Sequence, residues 1–573
     1  MNGARGLRSF VRVGFATATV VWIAAVGPAA QAAPIHVNCN GGGNLQSKID
    51  SAPGGATIVA TGTCDGPFTI TNKSLTIKGG PSATLDGQQA DSTLTIDASG
   101  KTAHLVGVVV THGGATNRGG GIRLQAGNLT LLRTTVTANQ ATSDDLTQGG
   151  GIWANTGTRV TLTSSHVTAN KATSNPASAS AQAEGGGIWS DSNVELDHSV
   201  VGGNTALATS PNGSASAYGG GIDATGGVTM TSSTVGGNTA KATSGVDTAG
   251  AFGGGVDTTS LDMTASKLKA NVATSHSNAS DAFANGGGAL MPSGEATLVG
   301  GGILGNKATA TGDGAQTLGG GIDMGGLLTL QHASLSGNQS VASASGNSAN
   351  AFAGGAYVDH ASVVLTRSTV GRNVASATAA TANARAEGGA IDTEGTVAAT
   401  NSTIASNQAS ATSGGSGTNA DASGGGSVSG EVDLVLSTVA GNSAIASADN
   451  ADAEGGGFRT PTLVTTASIV SGNHAATGGA DCTATTATSH GHNLFQHAPG
   501  CLSSPKPSDV TGKAALLGKL KSNGGPTQTM ALSAASPAVD VVPNVACTLA
   551  TDQRGVPRPQ GPKCDIGAFE RVV

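Results

Sequence analysis

Four aspartates fall at one recurring position of this 573-residue sequence: Asp223 and Asp257 follow Gly-Gly-Gly-aliphatic steps in adjacent repeat units, and Asp323 and Asp392 recur there with gaps. Carboxylates stacked on neighbouring turns of chain are suited to calcium binding or to general acid/base work on a glycosidic bond, usually with a basic residue beside them. No lysine or arginine recurs beside these four, so a solvated polar face is the plainer reading and a calcium ion between Asp223 and Asp257 the functional one. Trp153 and Trp189 follow equivalent Gly-Ile steps in adjacent units. Stacked outward they offer a platform to a sugar ring; packed on each other they shield an apolar patch. Trp153, Trp189, Asp223 and Asp257 are therefore the candidate ligand-binding residues.

Other groupings carry less. Asp144-Asp145 reads as a polar turn, and His490 and His492 lie near Cys482 and Cys501 without metal-ligand spacing. No nucleophile elbow, phosphate loop or dinucleotide fingerprint occurs in the strand and helix context it needs. No residue is assigned a catalytic role and none a metal.

The elements that position these residues follow from a repeat. An asparagine returns at Asn139, Asn170, Asn204, Asn238, Asn271, Asn306, Asn338, Asn373, Asn407, Asn442 and Asn473, and a glycine cluster returns in the same rhythm. Apolar residues keep a fixed register to it, as in Val160, Leu162 and Val167 before Asn170, or Val194, Leu196 and Val201 before Asn204. Alternation at the first two positions is a strand with one buried face, and the third starts a second short strand after a polar corner such as Ser164-Ser165. Between asparagine and glycine cluster, alanines fall at every second position (Ala179, Ala181 and Ala183; Ala215 and Ala217), which predicts a strand with small side chains inward where the coil is narrow. A chain that returns to one register each turn must stack its strands on its own copies. The fold class is all-β: a right-handed single-stranded parallel β-helix with coils of about 34 residues. Eleven copies of one amide are a structural ladder, bonding a turn backbone or the next asparagine.

The ends differ from the repeat. Arg5, Arg8 and Arg12, an apolar run and Ala30-Gln31-Ala32 read as an export signal, so residues 1–32 form a leader. Residues 33–118 hold an N-terminal cap, with a short amphipathic helix from Leu45 to Ser51 over the open end, and shorter first coils; 119–475 are the repeat and 476–573 the last coils and a cap. The leader holds three of the 28 Lys+Arg and none of the 35 Asp+Glu, so the remainder carries 25 against 35, a net −10. That charge opposes nucleic-acid binding. The six cysteines cluster as Cys39 with Cys64, Cys482 with Cys501 and Cys547 with Cys564, a pairing favoured in an exported chain although sequence leaves other connectivities open. Asp540, Asp552, Arg554, Arg558, Asp565 and Glu570 make the tail the most densely charged stretch and read as a salt-bridged cap.

The glycine cluster plus aliphatic, followed by a strand and Thr-Val-Gly-Gly-Asn (Thr234 to Asn238) or Thr-Ile-Ala-Ser-Asn (Thr403 to Asn407), resembles the repeats of polymorphic outer-membrane proteins and the wider pectin-lyase-like β-helix superfamily. The tail resembles bacterial choice-of-anchor Q proteins in Ser522-Asn523-Gly524-Gly525-Pro526-Thr527, Ser536-Pro537-Ala538-Val539-Asp540, Thr551-Asp552-Gln553-Arg554-Gly555 and Cys564-Asp565-Ile566-Gly567-Ala568-Phe569-Glu570. The resemblance covers nearly the whole chain after the leader. It implies a surface protein, although Val or Ile here replaces the Phe of the repeat motif and only Arg571-Val572-Val573 follow where the family carries an anchor. The expectation is an exported, monomeric extracellular or cell-surface β-helix without enzymatic activity, adhesin-like or envelope-structural, whose partners are glycans or surface proteins. The alternative is a carbohydrate-active enzyme or glycan-binding module on the same fold.

Overall fold

The computed structural model describes residues 33–572, so the leader assigned to residues 1–32 lies outside it. Parallel strands wind into a β-solenoid of about 11 turns of about 33 residues. One turn shows the plan. Ile188–Ser190, Val194–Asp197 and Val200–Gly202 lie in one large sheet, Thr205–Ser210 in a 12-stranded sheet and Ala215–Tyr218 in a 10-stranded sheet. Val160 pairs with Val194 and then Val228, and Leu162 with Leu196 and then Met230, so each apolar position stacks on its own copy. All six are buried.

Each turn narrows at one side because its side chains do. The two smaller sheets face each other across a layer whose buried hydrophobic members are all alanines, among them Ala206, Ala208, Ala215 and Ala217, with small hydroxyl residues such as Ser340 and Thr317 between them. The period-two alanines are strands, as their spacing predicts, except that Ala179 lies exposed in the turn before Ala181–Glu184. Hydroxyls close the thin edge: Ser210, Ser244 and Ser277 donate to the carbonyls of Ala179, Gly213 and Asp247 at 2.6, 2.8 and 2.6 Å.

Corners are held by two ladders. Residues just before the short strand and just before the asparagine take left-handed conformations, as at Ser164 (φ 48°) and Ala169 (φ 55°), each costing about 1–2 kcal/mol for a non-glycine residue. The residue after each corner bonds along the solenoid axis. Asn204 donates from its backbone N–H and from Nδ2 to Asn238 Oδ1, both at 3.0 Å, and its Nδ2 also reaches Val167 O at 2.9 Å. The chain of amides runs from Asn139, which accepts from Gly113 N–H, to Asn473, which donates to the buried Asp481. A second ladder of hydroxyls runs beside it: the N–H groups of Thr134, Ser165, Ser199 and Ser233 donate to the Oγ atoms of Ser165, Ser199, Ser233 and Ser266.

The glycine cluster is the counterpart of the asparagine. Gly185 has φ 58°, and a Cβ there would lie 2.4 Å from Ile188 O. A Cβ on Gly187 would lie 2.8 Å from Asn204 Nδ2 and 2.6 Å from Gly221 O, so the ladder amide fits only against a bare backbone.

The first coils are shorter and capped as read from the sequence. Leu45–Ser51 is helical, with Asn44 capping it and Leu45 and Ile49 buried. The disulfides are Cys39–Cys64, Cys482–Cys501 and Cys547–Cys564. Val510–Thr511 pairs with Leu494–Phe495, adding a last strand to the large sheet. The tail beyond it also covers the flank of preceding coils, which the sequence did not indicate. Gln553 is fully buried there; its Nε2 donates to Thr369 Oγ1 and Thr527 Oγ1, both at 2.9 Å, and its Oε1 accepts from Thr403 Oγ1 at 2.6 Å. Arg558 pairs with Glu570 at 3.0 Å, both buried, and donates to Gly567 O at 2.6 Å, while Arg554 pairs with Asp552 at 2.7 Å and stacks on Phe569.

Two outcomes are expected. Asn238→Leu strands the Asn204 N–H and Val201 O, and burial of unpaired groups costs about 1–3 kcal/mol each. The thermal midpoint falls accordingly, and a wild-type midpoint would show that the ladder is not what holds the corner. Arg558→Ala leaves Glu570 without its cation, a loss of about 3–5 kcal/mol for a buried pair. Limited proteolysis should then cut within the tail while the far-ultraviolet β signal persists; an uncut tail would remove the ion pair from the account.

Candidate ligand-binding cleft

The second residue of the strand that follows each glycine cluster points out of the large sheet, at the corner where the alanine layer joins it. Because the strands are parallel and in register, Arg123, Trp153, Trp189, Asp223, Asp257, Leu290, Asp323, Tyr357, Asp392, Val428 and Arg459 form one stripe along the solenoid. The last residue of each strand before a corner forms a second stripe on the 10-stranded sheet, running Gln148, Glu184, Tyr218, Phe252, Asn285, Leu318, Phe352 and Glu387. The two stripes are the sides of a corner, and clefts open where they meet.

At one end Trp153 and Trp189 stack with centroids 5.7 Å apart and planes 6° apart. Trp153 is only 4% exposed: Arg118 and Arg123 lie over its ring at 5.3 and 5.9 Å, and its Nε1 donates to Gln148 Oε1. The two rings thus pack on each other, as one of the two readings has it, and leave one accessible ring, Trp189, backed by Trp153. Trp189, Tyr218, Asp223 and Asp257 share a cleft of about 380 Å³ with Glu184. Tyr218 stacks on Phe252 at 4.9 Å.

Burial governs the acids. Asp223 is held well above the usual carboxylate range by desolvation, then by Asp257 and Glu184; desolvation and then Glu184 push Asp257 up to about 7. Asp323 rises to about 7, again chiefly by desolvation, and Asp392 to about 8 by desolvation and then by Glu387. The solvated polar face expected for these residues is replaced by a half-buried to buried acidic stripe, because the corner is concave. Among the described residues no group of three or more His, Cys, Asp or Glu side chains is arranged to hold a metal ion.

Towards the other end, Phe352, Tyr357, Arg385, Glu387, Asp392 and Arg459 line a cleft of about 460 Å³. Sequence reasoning missed the arginines here, since Arg385 comes from the alanine-rich strand Ala384–Glu387 and not from the stripe that carries Asp392. The sequence does show Glu387 immediately before its glycine cluster, the one member of the Arg385–Glu387 pair at a repeating position. Comparison with family models, with curated proteins and with solved structures finds no match. The fold and this corner together describe a parallel β-solenoid with a longitudinal acidic and aromatic groove. Among the described residues no helix is long and apolar enough to cross a membrane.

A pH dependence follows. Folded-state pKa values of about 7 to 8 at Asp257, Asp323 and Asp392 lie above the unfolded value, so the folded chain binds the extra protons. The stability contribution is complete below about pH 4 and is lost as pH rises through about 7 to 8. The thermal midpoint should fall between pH 5 and pH 9, and the double variant Asp323→Asn, Asp392→Asn should flatten that fall. An unchanged slope in the double variant would mean these carboxyls titrate normally.

Proposed function

We propose that this chain is an exported extracellular or cell-surface β-solenoid that binds a glycan along the corner stripes and has no enzymatic activity, an adhesin-like role. One observation carries the reading. Aromatic residues make up only 2% of the chain, yet both of its tyrosines, Tyr218 and Tyr357, and both tryptophans of the described residues, Trp153 and Trp189, lie on the two stripes. Sugar rings are recognised by an aromatic face together with hydrogen-bonding carboxyls and hydroxyls, which is what Trp189, Asp223 and Asp257 offer side by side. All six cysteines are paired, which suits an oxidising compartment and supports export.

A second reading, glycoside hydrolysis, rests on Asp223 and Asp257. They are direct partners on adjacent strands, about 4.8 Å apart in the backbone, and share a raised titration suited to an acid and a base. A glycan array followed by incubation with the bound polysaccharides, with and without calcium, separates the two. Binding that weakens tenfold or more in Trp189→Ala, with no reducing or unsaturated ends released, is expected. Release that disappears in Asp257→Asn would establish the hydrolase instead.

A further inference from the structure

The tail-proximal end of the acidic stripe differs from the rest in enclosure and in charge. Asp392 stands in the wall of the 460 Å³ cleft, 8% exposed, and no hydrogen bond or ion pair from any described residue reaches its carboxyl. The two guanidinium groups of the cleft are already taken, Arg385 by Glu387 at 2.7 Å and Arg459 by Glu454 at 3.4 Å. On the rim His360 lies between Asp359 at 3.5 Å and Glu394 at 2.5 Å. Phe352 already carries Arg385 over its ring, at 5.6 Å, whereas among the described residues no cation lies over Tyr357. A buried carboxyl without a donor must hold a proton or meet a cation.

We propose that this cleft is a subsite for a protonated amino sugar, its ammonium group seated between the Asp392 carboxylate and the Tyr357 ring. The inference rests on the glycan-binding reading above and names the class of sugar. A neutral hexose leaves Asp392 without its cation, and a uronic acid meets Asp359, Asp392 and Glu394 with like charge. An ammonium satisfies the carboxylate and gains from the aromatic face. In the empty cleft, burial, Glu387 and Glu394 hold a proton on Asp392 at neutral pH against the opposing pull of Arg385. The arriving ammonium takes that proton's place, and the proton leaves to solvent.

The test is calorimetric titration of the full chain at pH 7 with a β-1,4-linked glucosamine tetramer, its fully N-acetylated counterpart and spermidine, each in two buffers of different ionisation heat. The expected result is at least tenfold tighter binding of the free-amine tetramer than of the acetylated one. Its binding should release a proton, and the preference should vanish in Asp392→Asn. Tyr357→Leu, at the more open side of the cleft, should weaken the same tetramer and covers the case in which Asp392→Asn disturbs folding. Equal affinity for the two tetramers would overturn the amino-sugar assignment while leaving the glycan reading standing. Spermidine bound as tightly as the tetramer would show a general amine site and overturn the saccharide. Absence of binding by both tetramers, with other glycans bound on the array, would overturn the subsite alone.

Discussion

The stack depends on how its corners are satisfied. A β-solenoid turn must reverse direction without the cross-strand partners that a sheet supplies, and each reversal leaves backbone N–H and carbonyl groups inside the bend. Here the asparagine amide meets that demand in one stroke. Its Oδ1 accepts two bonds from the preceding coil's asparagine, and its Nδ2 donates to the carbonyl three residues before that asparagine, as in Asn204 with Asn170 and Val167. The geometry in turn requires a residue without a side chain opposite, which is why Gly187, Gly221 and Gly255 appear in step with Asn204, Asn238 and Asn271. Asparagine and glycine cluster are two halves of one steric constraint. Where the ladder ends, Asp481 takes over as acceptor, burial keeping its carboxyl above the usual range while Asn473 and the His497 N–H bond to it.

That constraint also shapes the functional surface. A coil whose last two strands carry chiefly alanine inward is thin on that side and wide on the other, so the outer surface turns concave at the glycine corner. Side chains on both sides of the corner converge, and the residues flanking each glycine cluster become the walls of a groove. Stacking in register then repeats whatever chemistry one coil places there. The pairs Trp153 with Trp189, Asp223 with Asp257 and Tyr218 with Phe252 are each produced by a single positional choice made twice.

How far the sequence is legible follows from the same reasoning. Fixed-register apolar residues, the asparagine period and the alternating alanines each report a local rule that the neighbouring coil repeats, so the parallel solenoid, the ladder and the capping helix at Leu45–Ser51 can be read directly. Periodicity along one strand does not report concavity across two. Asp223 and Asp392 look like a solvated face because their alternation places them outward; only the angle between the large sheet and the alanine layer desolvates them. Arg385 beside Asp392 and Arg118 over Trp153 are invisible for the same reason, being contacts between strands separated by a corner. The tail's lie along the flank is equally non-local. Its one local trace is the left-handed corner residue, polar or small at Ser164, His198, Ser232 and Ala265, which becomes the buried Leu436 where the tail packs on it.

The buried acids set a tension between ligand binding and stability. Leu290 and Val428 show that apolar side chains fit the stripe, and an apolar residue at Asp323 or Asp392 would remove a desolvated carboxyl from a place with few donors. The repeat tolerates that cost because it is spread over a long stack whose corners are bonded by the amide ladder, in whose hydrogen bonds the stripe aspartates take no part. A change at the stripe therefore removes no bond of the ladder. The fold can vary the groove one coil at a time, from the aromatic pair at Trp153 and Trp189 to the acidic cleft at Asp392, without renegotiating the structure that presents it.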